Sequence, residues 1–149
     1  MHLFLQLFII LVTCITGHKG ISSTNKIIES NLAIELYLDG NYVEAISEWQ
    51  TLAKNGEENA QFILGTVYRL GNEGVTKNIN KAIKWYSLAA EQGNEYAQYN
   101  LGKIYESEKD IVDYELAAKW YLRGAQNGNA FSQLKLGSLY IKGKGVPKK

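Results

Sequence analysis

Cysteine is nearly missing from this sequence: Cys14 stands alone, inside an apolar N-terminal stretch. The body that follows has no thiol for a disulfide or for nucleophilic attack, and packing alone must hold it. Histidine is almost as scarce. His2 and His18 both lie in or beside that stretch, which argues against histidine acid–base work, a catalytic triad or a histidine-rich metal site. Proline occurs once, at Pro147. Because proline breaks helices, its absence before that point suits a nearly all-helical chain. Charge of one sign is missing too. The net charge of +1 gives no bulk electrostatic case for nucleic acid or an anionic membrane. Lys142, Lys144, Lys148 and Lys149 gather at the end, and the plain reading of so short a run is a solvated tail. At 149 residues the chain makes one ordinary domain at most.

Apolar runs are short. Leu3–Ile15 carries no Lys, Arg, Asp or Glu, but it falls well below the roughly 20 residues of a membrane span. It suits the apolar core of a secretory signal over residues 1–20, although only the α-amino group and His2 offer positive charge before it. Cleavage near Thr16–Gly20 is the expectation. An uncleaved anchor is the alternative, and so is lipidation at Cys14, since "LVTC" resembles a bacterial lipobox, with Thr13 where that pattern prefers Gly, Ala or Ser. The protein is expected to be exported, to the periplasm or beyond the cell.

Repetition is what the chain has in abundance. "AQFILGTVYRL" from Ala60, "AQYNLGKIYE" from Ala97 and "SQLKLGSLYIK" from Ser132 share Gln, Leu, Gly and Tyr in one register. Gly65, Gly102 and Gly137 are separated by 37 and 35 residues, as are Tyr68, Tyr105 and Tyr140. "KAIKWYSLAAEQGN" and "LAAKWYLRGAQNGN" repeat in phase with them. A period of this size marks stacked supersecondary units.

Each unit reads as two helices. Leu64, Val67 and Tyr68 share one helical face with Ala60, and Ala82, Tyr86 and Ala89/Ala90 share another. A glycine inside the first helix costs about 1 kcal/mol relative to Ala. Its recurrence implies close approach of the partner helix, with Ala82, Ala90, Ala117 and Ala125 as matching small residues. Gly93 and Gly128 suit the helix-ending position. Tyr86 and Tyr121 are expected to fill the space between layers with their polar tips at the edge. A fainter copy precedes these, with Ala45, Trp49, Ala53 and Gly56 in register and "DGN" as its turn.

"AQYNLGKIYE…DYELAAKWYLRGAQNG" resembles the Sel1-like repeat family, a relative of the tetratricopeptide repeats. The resemblance is strong from Ala60 to Lys149, and "GKGVPKK" resembles the family's inter-helix loop, whereas "SEKDIVDY" lacks that loop's glycines. Residues 27–58 resemble a plain tetratricopeptide unit, followed by Sel1-like units at 59–94 and 95–129 and a partial one at 130–149. The resemblance implies an all-α, right-handed α-solenoid of antiparallel helix pairs. It implies a non-enzymatic adaptor without cofactor or metal, whose partner is a protein or peptide. Exported members act in envelope assembly, host-cell interaction, signalling or toxin neutralisation.

First helices line the concave side of such stacks. The positions there that avoid the core are Phe62, Thr66 and Arg69 in one unit and Tyr96, Tyr99, Lys103 and Glu106 in the next. They change identity between units while Leu64/Leu101 and Tyr68/Tyr105 do not. We take these seven as the expected partner-binding residues. Tyr96 and Tyr99 also fit sugar stacking, which keeps a cell-wall-associated helper open, and a periplasmic immunity protein is a further alternative. No catalytic set emerges. "GKGVPKK" lacks the context of a phosphate loop, and Glu57–Glu58 and Asp110–Asp113 suit a solvated surface better than a glycosidase pair. In the last unit Leu134, Leu136, Leu139, Tyr140 and Ile141 cannot all be covered by the preceding unit, so self-association through this helix is a further expectation.

Overall fold

The computed structural model describes residues 31–71 and 74–145. The signal segment, Cys14, both histidines, Pro147, Lys148 and Lys149 lie outside the described residues. So do Asn72 and Glu73, within the turn expected at Gly71–Gly74. Among the described residues there are seven helices and no β-strand: α1 (31–38), α2 (Tyr42–Lys54), α3 (Glu58–Leu70), α4 (Ile79–Glu91), α5 (Glu95–Ser107), α6 (Tyr114–Gln126) and α7 (Ala130–Ile141). None is long and apolar enough to cross a membrane.

The chain divides into two compact units, one ending at Glu48 and one beginning at Trp49. In the first, a tight turn reverses the chain between α1 and α2. The Asn41 N–H donates to the Leu36 carbonyl at 2.9 Å, and Gly40 supplies the positive φ of 83° that this turn needs. Ala33 and Ala45 are fully buried, and the rings of Tyr37 and Tyr42 meet edge to face at 5.0 Å.

In the second unit, helix boundaries follow local side-chain chemistry. Asn78, Asn94, Asp113 and Asn129 each accept a bond from the backbone N–H three residues on, at 2.8–2.9 Å. Each satisfies one of the donors that a helix start leaves without a partner. Gly56, Gly93 and Gly128, with φ between 90° and 106°, reverse the chain after α2, α4 and α6, where a side chain would be strained. The α3–α4 and α5–α6 connections close alike despite different sequences. The Asn78 N–H donates to the Tyr68 carbonyl at 2.7 Å and the Asp113 N–H to the Tyr105 carbonyl at 2.8 Å. "SEKDIVDY" thus reaches the same closure without glycine.

From α3 onward each helix packs on the next in sequence, and α5 also touches α3 and α7. Two layers result: α3, α5 and α7 in one, α4 and α6 in the other. This is the all-α solenoid of antiparallel helix pairs that the resemblance implies. Its core is Leu64, Tyr86, Leu101, Ile104, Tyr121 and Leu139, with the small residues Ala82, Ala89, Ala97 and Ala117 between them.

The glycines inside α3 and α5 have a specific reason. A Cβ on Gly65 would stand 2.5 Å from Cδ1 of Tyr86, and one on Gly102 would stand 2.5 Å from Cε1 of Tyr121. Close approach was expected of the partner helix; the group that fills the notch is the tyrosine ring of that helix. Both rings are fully buried. Burying a large aromatic contributes about 1.5–3 kcal/mol, which exceeds the roughly 1 kcal/mol of helix propensity that a glycine gives up. Gly137 occupies the same register in α7 and meets nothing within 4 Å among the described residues.

These two environments give opposite expectations for one substitution. Gly102→Ala should destabilise by about 1–3 kcal/mol through overpacking. Gly137→Ala should leave stability unchanged or raise it by up to about 1 kcal/mol. Thermal melts of the two variants beside wild type decide it, and equal effects would refute the ring-in-notch account.

Candidate functional site

The layer of α3, α5 and α7 carries a chain of aromatic pairs. Phe62 on α3 meets Tyr96 on α5 with ring centroids 6.2 Å apart, and Tyr99 on α5 meets Phe131 on α7 at 5.8 Å. Phe62 and Tyr99 stand three residues before their glycines, and Tyr96 and Phe131 stand six before theirs. One geometric step thus repeats along the face. Phe62 and Tyr99 also lean on the buried rings of Tyr86 and Tyr121 at 5.8 and 6.0 Å, which fixes their orientation. Tyr96 and Phe131 remain exposed. The ammonium of Lys103 lies 5.7 Å from the centre of the Tyr99 ring, a cation–π contact.

The other expected residues are engaged by the scaffold's own tyrosines. The Tyr86 hydroxyl lies 3.0 Å from Thr66 Oγ1 and accepts from Arg69 Nε at 3.3 Å. The Tyr121 hydroxyl donates to Glu106 Oε2 at 2.7 Å, and Lys135 Nζ donates to the same oxygen at 2.9 Å. The seven residues therefore fall on one face in two roles. Phe62, Tyr96, Tyr99 and Lys103 form its aromatic and cationic relief. Thr66, Arg69 and Glu106 hold the polar tips of the buried tyrosines, all three remaining half-buried.

Phe131 and Lys135 belong to the same face and were not anticipated. The signal for Phe131 was present: it stands 35 residues after Tyr96, in the repeat's own register. Lys135 takes the position of Asn100, and only the structure shows that it reaches across to Glu106.

Burial pushes the Glu106 carboxyl up, but hydrogen bonds from Tyr121 and Lys135 and the charges of Lys135 and Lys142 outweigh this and leave it below the ordinary value of 4.5. The Tyr121 hydroxyl moves far upward, through burial and then through its bond to the Glu106 carboxylate. It stays protonated, as a donor must. Among the described residues no group of His, Cys, Asp and Glu could hold a metal ion.

One further face is notable. On α7, Leu134 is 72% and Ile141 90% exposed. With Ala130, Gln133, Gly137 and Ser138 they border an open apolar groove of about 630 Å³.

Because the Glu106 pKa is lowered on folding, its contribution to stability is fully present above pH 4.5 and is lost as pH falls through the folded value. Glu106→Gln should cost about 1–2 kcal/mol at neutral pH. The gap between its melting temperature and that of wild type should narrow as pH drops below 4.5. A gap constant from pH 7 to pH 3 would remove the carboxylate from the network.

The Sel1 repeat model matches residues 59–94, 95–129 and 130–149. A crystal structure of c5321, described as a protective antigen of uropathogenic Escherichia coli strains displaying an SLR fold, is 33% identical with a TM-score of 0.71. The alignment covers 87% of this chain and 29% of that one. A Sel1 repeat protein from Oxalobacter formigenes is 36% identical, also with a TM-score of 0.71, over 80% of this chain and 49% of that one. The chain thus spans less than a third and about half the length of these two. No curated protein matches it. Three matched repeats in one register, on a stack of helix pairs with these neighbours, place the chain in the Sel1 repeat family.

Proposed function

We propose that this chain is a non-enzymatic adaptor, part of an exported bacterial Sel1 repeat protein, that binds a protein partner on the face built by α3, α5 and α7. Sel1 repeats are generally protein-interaction modules and typically act as scaffolds without catalysis. The observation that carries the reading is the aromatic relief. Phe62–Tyr96 and Tyr99–Phe131 repeat across three helices with their outer rings exposed, and ordered, half-exposed aromatics are the usual anchors of protein interfaces. The charge-poor apolar stretch Leu3–Ile15 supports export, with the periplasm or the exterior as destination and a lipid anchor at Cys14 as the variant of that reading. The same exposed rings also suit glycan stacking by a cell-wall-associated helper, and direct blockade of an effector by an immunity protein would use the same face.

Affinity capture from native envelope extract separates these readings. Wild-type chain should retain a protein that Tyr99→Ala/Lys103→Glu loses by at least about tenfold while keeping its circular dichroism. Retention of glycan fragments alone would establish the helper instead. Recovery unchanged by the double substitution would remove this face from the function.

The exposed groove on α7 favours a second association, with another copy of the chain. Leu134→Glu/Ile141→Glu should abolish any concentration-dependent rise in mass seen by light scattering. A wild-type mass that stays monomeric from micromolar to hundreds of micromolar would refute self-association.

A further inference from the structure

The lysines read in the sequence as a solvated tail are partly built into a cavity. Between α5, α6 and the end of α7 lies an enclosure of about 320 Å³, bordered by Lys103, Lys135, Lys142, Lys144, Glu106 and Tyr114. Four lysines and one glutamate border it. Glu106 is taken by Lys135 at 2.9 Å and by the Tyr121 hydroxyl. Lys144 reaches the Tyr114 hydroxyl at 3.0 Å and lies 4.3 Å from the centre of its ring, so aromatic contact fixes its position while its charge stays uncompensated. Lys103 is likewise placed by the Tyr99 ring. Among the described residues no carboxylate pairs with Lys103, Lys142 or Lys144. The comparable enclosure by the α3–α4 connection is balanced: Lys77 pairs with Glu108 at 3.5 Å, and Asp110 borders the same space.

Four lysine charges against a single carboxylate leave a net positive excess that repels itself, and an anion that enters relieves the repulsion. The cavity is also continuous with the aromatic relief, because Lys103 belongs to both. Tyr99 and Lys103 lie one helical turn apart, about 6 Å along the axis. An extended peptide advances about 3.3 Å per residue, so side chains two residues apart match that step and point the same way.

We infer that this cavity takes the carboxylates of an extended acidic peptide segment of the partner, with an apolar residue seated against Tyr99 and Phe131 and an acidic residue two positions away directed at Lys103, Lys142 and Lys144. The inference rests on the adaptor reading and names the chemistry of its partner. A carboxylate entering the cavity displaces no existing ion pair, since the Lys135–Glu106 bond can stay in place. The peptide's acidic group answers the lysines that the fold leaves unpaired.

The probe is a fluorescein-labelled octapeptide carrying Trp, one Gly spacer and then three Glu, read by fluorescence anisotropy with the full chain. Its control replaces every Glu by Gln. The acidic probe should bind at least about tenfold more tightly than the control, and it should weaken as salt rises. Lys142→Gln/Lys144→Gln, two exposed positions, should lose at least about tenfold while the circular dichroism stays that of the wild type. Phe131→Ala should weaken the acidic probe and the control alike. Equal affinity for acidic and neutral probes, or full affinity in the lysine double variant, overturns the inference. It is also overturned if vesicles containing phosphatidylserine, or inorganic phosphate, bind in a Lys142/Lys144-dependent manner while the peptide does not. Should the probe fail while envelope capture still depends on Tyr99 and Lys103, the acidic partner is wrong and the adaptor stands. Should both fail, the adaptor reading falls as well.

Discussion

A tyrosine ring lying on a glycine is the contact on which the rest of the repeat stack depends. Tyr86 reaches Gly65 and Tyr121 reaches Gly102. Each ring is wholly buried, so its hydroxyl must find a polar group at the rim or leave a costly buried donor. That requirement fixes the depth of the ring in the notch. It also recruits rim residues: Thr66 and Arg69 for one tyrosine, Glu106 for the other. A single steric allowance, the missing Cβ, thereby sets the spacing of the helices within a pair and part of the polar chemistry of the face built by α3, α5 and α7.

Between pairs the linkage is polar. Gln61 Nε2 donates to the Ala53 carbonyl and Gln98 Nε2 to the Ala90 carbonyl, both at 3.0 Å, and both glutamines are nearly fully buried. Gln92 then donates to Gln61 Oε1 at 2.8 Å, and Asn127 to Gln98 Oε1 at 3.0 Å. The same two residues also bond the carbonyls of Gly56 and Gly93. Each clasp joins the end of one repeat to the start of the next, and it gives the Ala53 and Ala90 carbonyls a second donor beside the Gly56 and Gly93 N–H groups. Stability here is a sum of neighbouring interfaces, so the repeated Gln in "AQ" is as structural as the repeated Gly and Tyr.

Legibility in the sequence follows from range. Helices, turns and the period were readable because they rest on local chemistry: apolar spacing, capping Asn and Asp, and glycine at a chain reversal. The need for room at Gly65 and Gly102 was readable too. That a ring fills it was not, since the filling residue lies 21 and 19 residues away on another helix. The face followed the same division. Phe62, Tyr96, Tyr99 and Lys103 could be placed by register alone. The attachment of Thr66, Arg69 and Glu106 to tyrosine hydroxyls depends on how one helix sits against the next, which no single-helix pattern contains. Lys142 and Lys144 read as a tail because charge runs usually are; their enclosure requires α5 and α6 beside them.

One interface shows how far such coupling goes within a single chain. Ala89 and Ala97, both fully buried, occupy one repeat step; the corresponding positions one step on are Gly124 and Ser132. There the serine side chain lies where a glycine Cβ would stand. The heavy atom given up at one position reappears at the other, so the close-packed volume is kept. The exchange has a cost, because the buried Ser132 hydroxyl finds no hydrogen-bond partner among the described residues. Volume is thus held more strictly than polar satisfaction at this layer. Neighbouring repeats can therefore change their letters in compensated pairs beneath the surface. The exposed rings and lysines above them can vary one at a time, and this freedom, absent from the core, is what lets one scaffold present different faces.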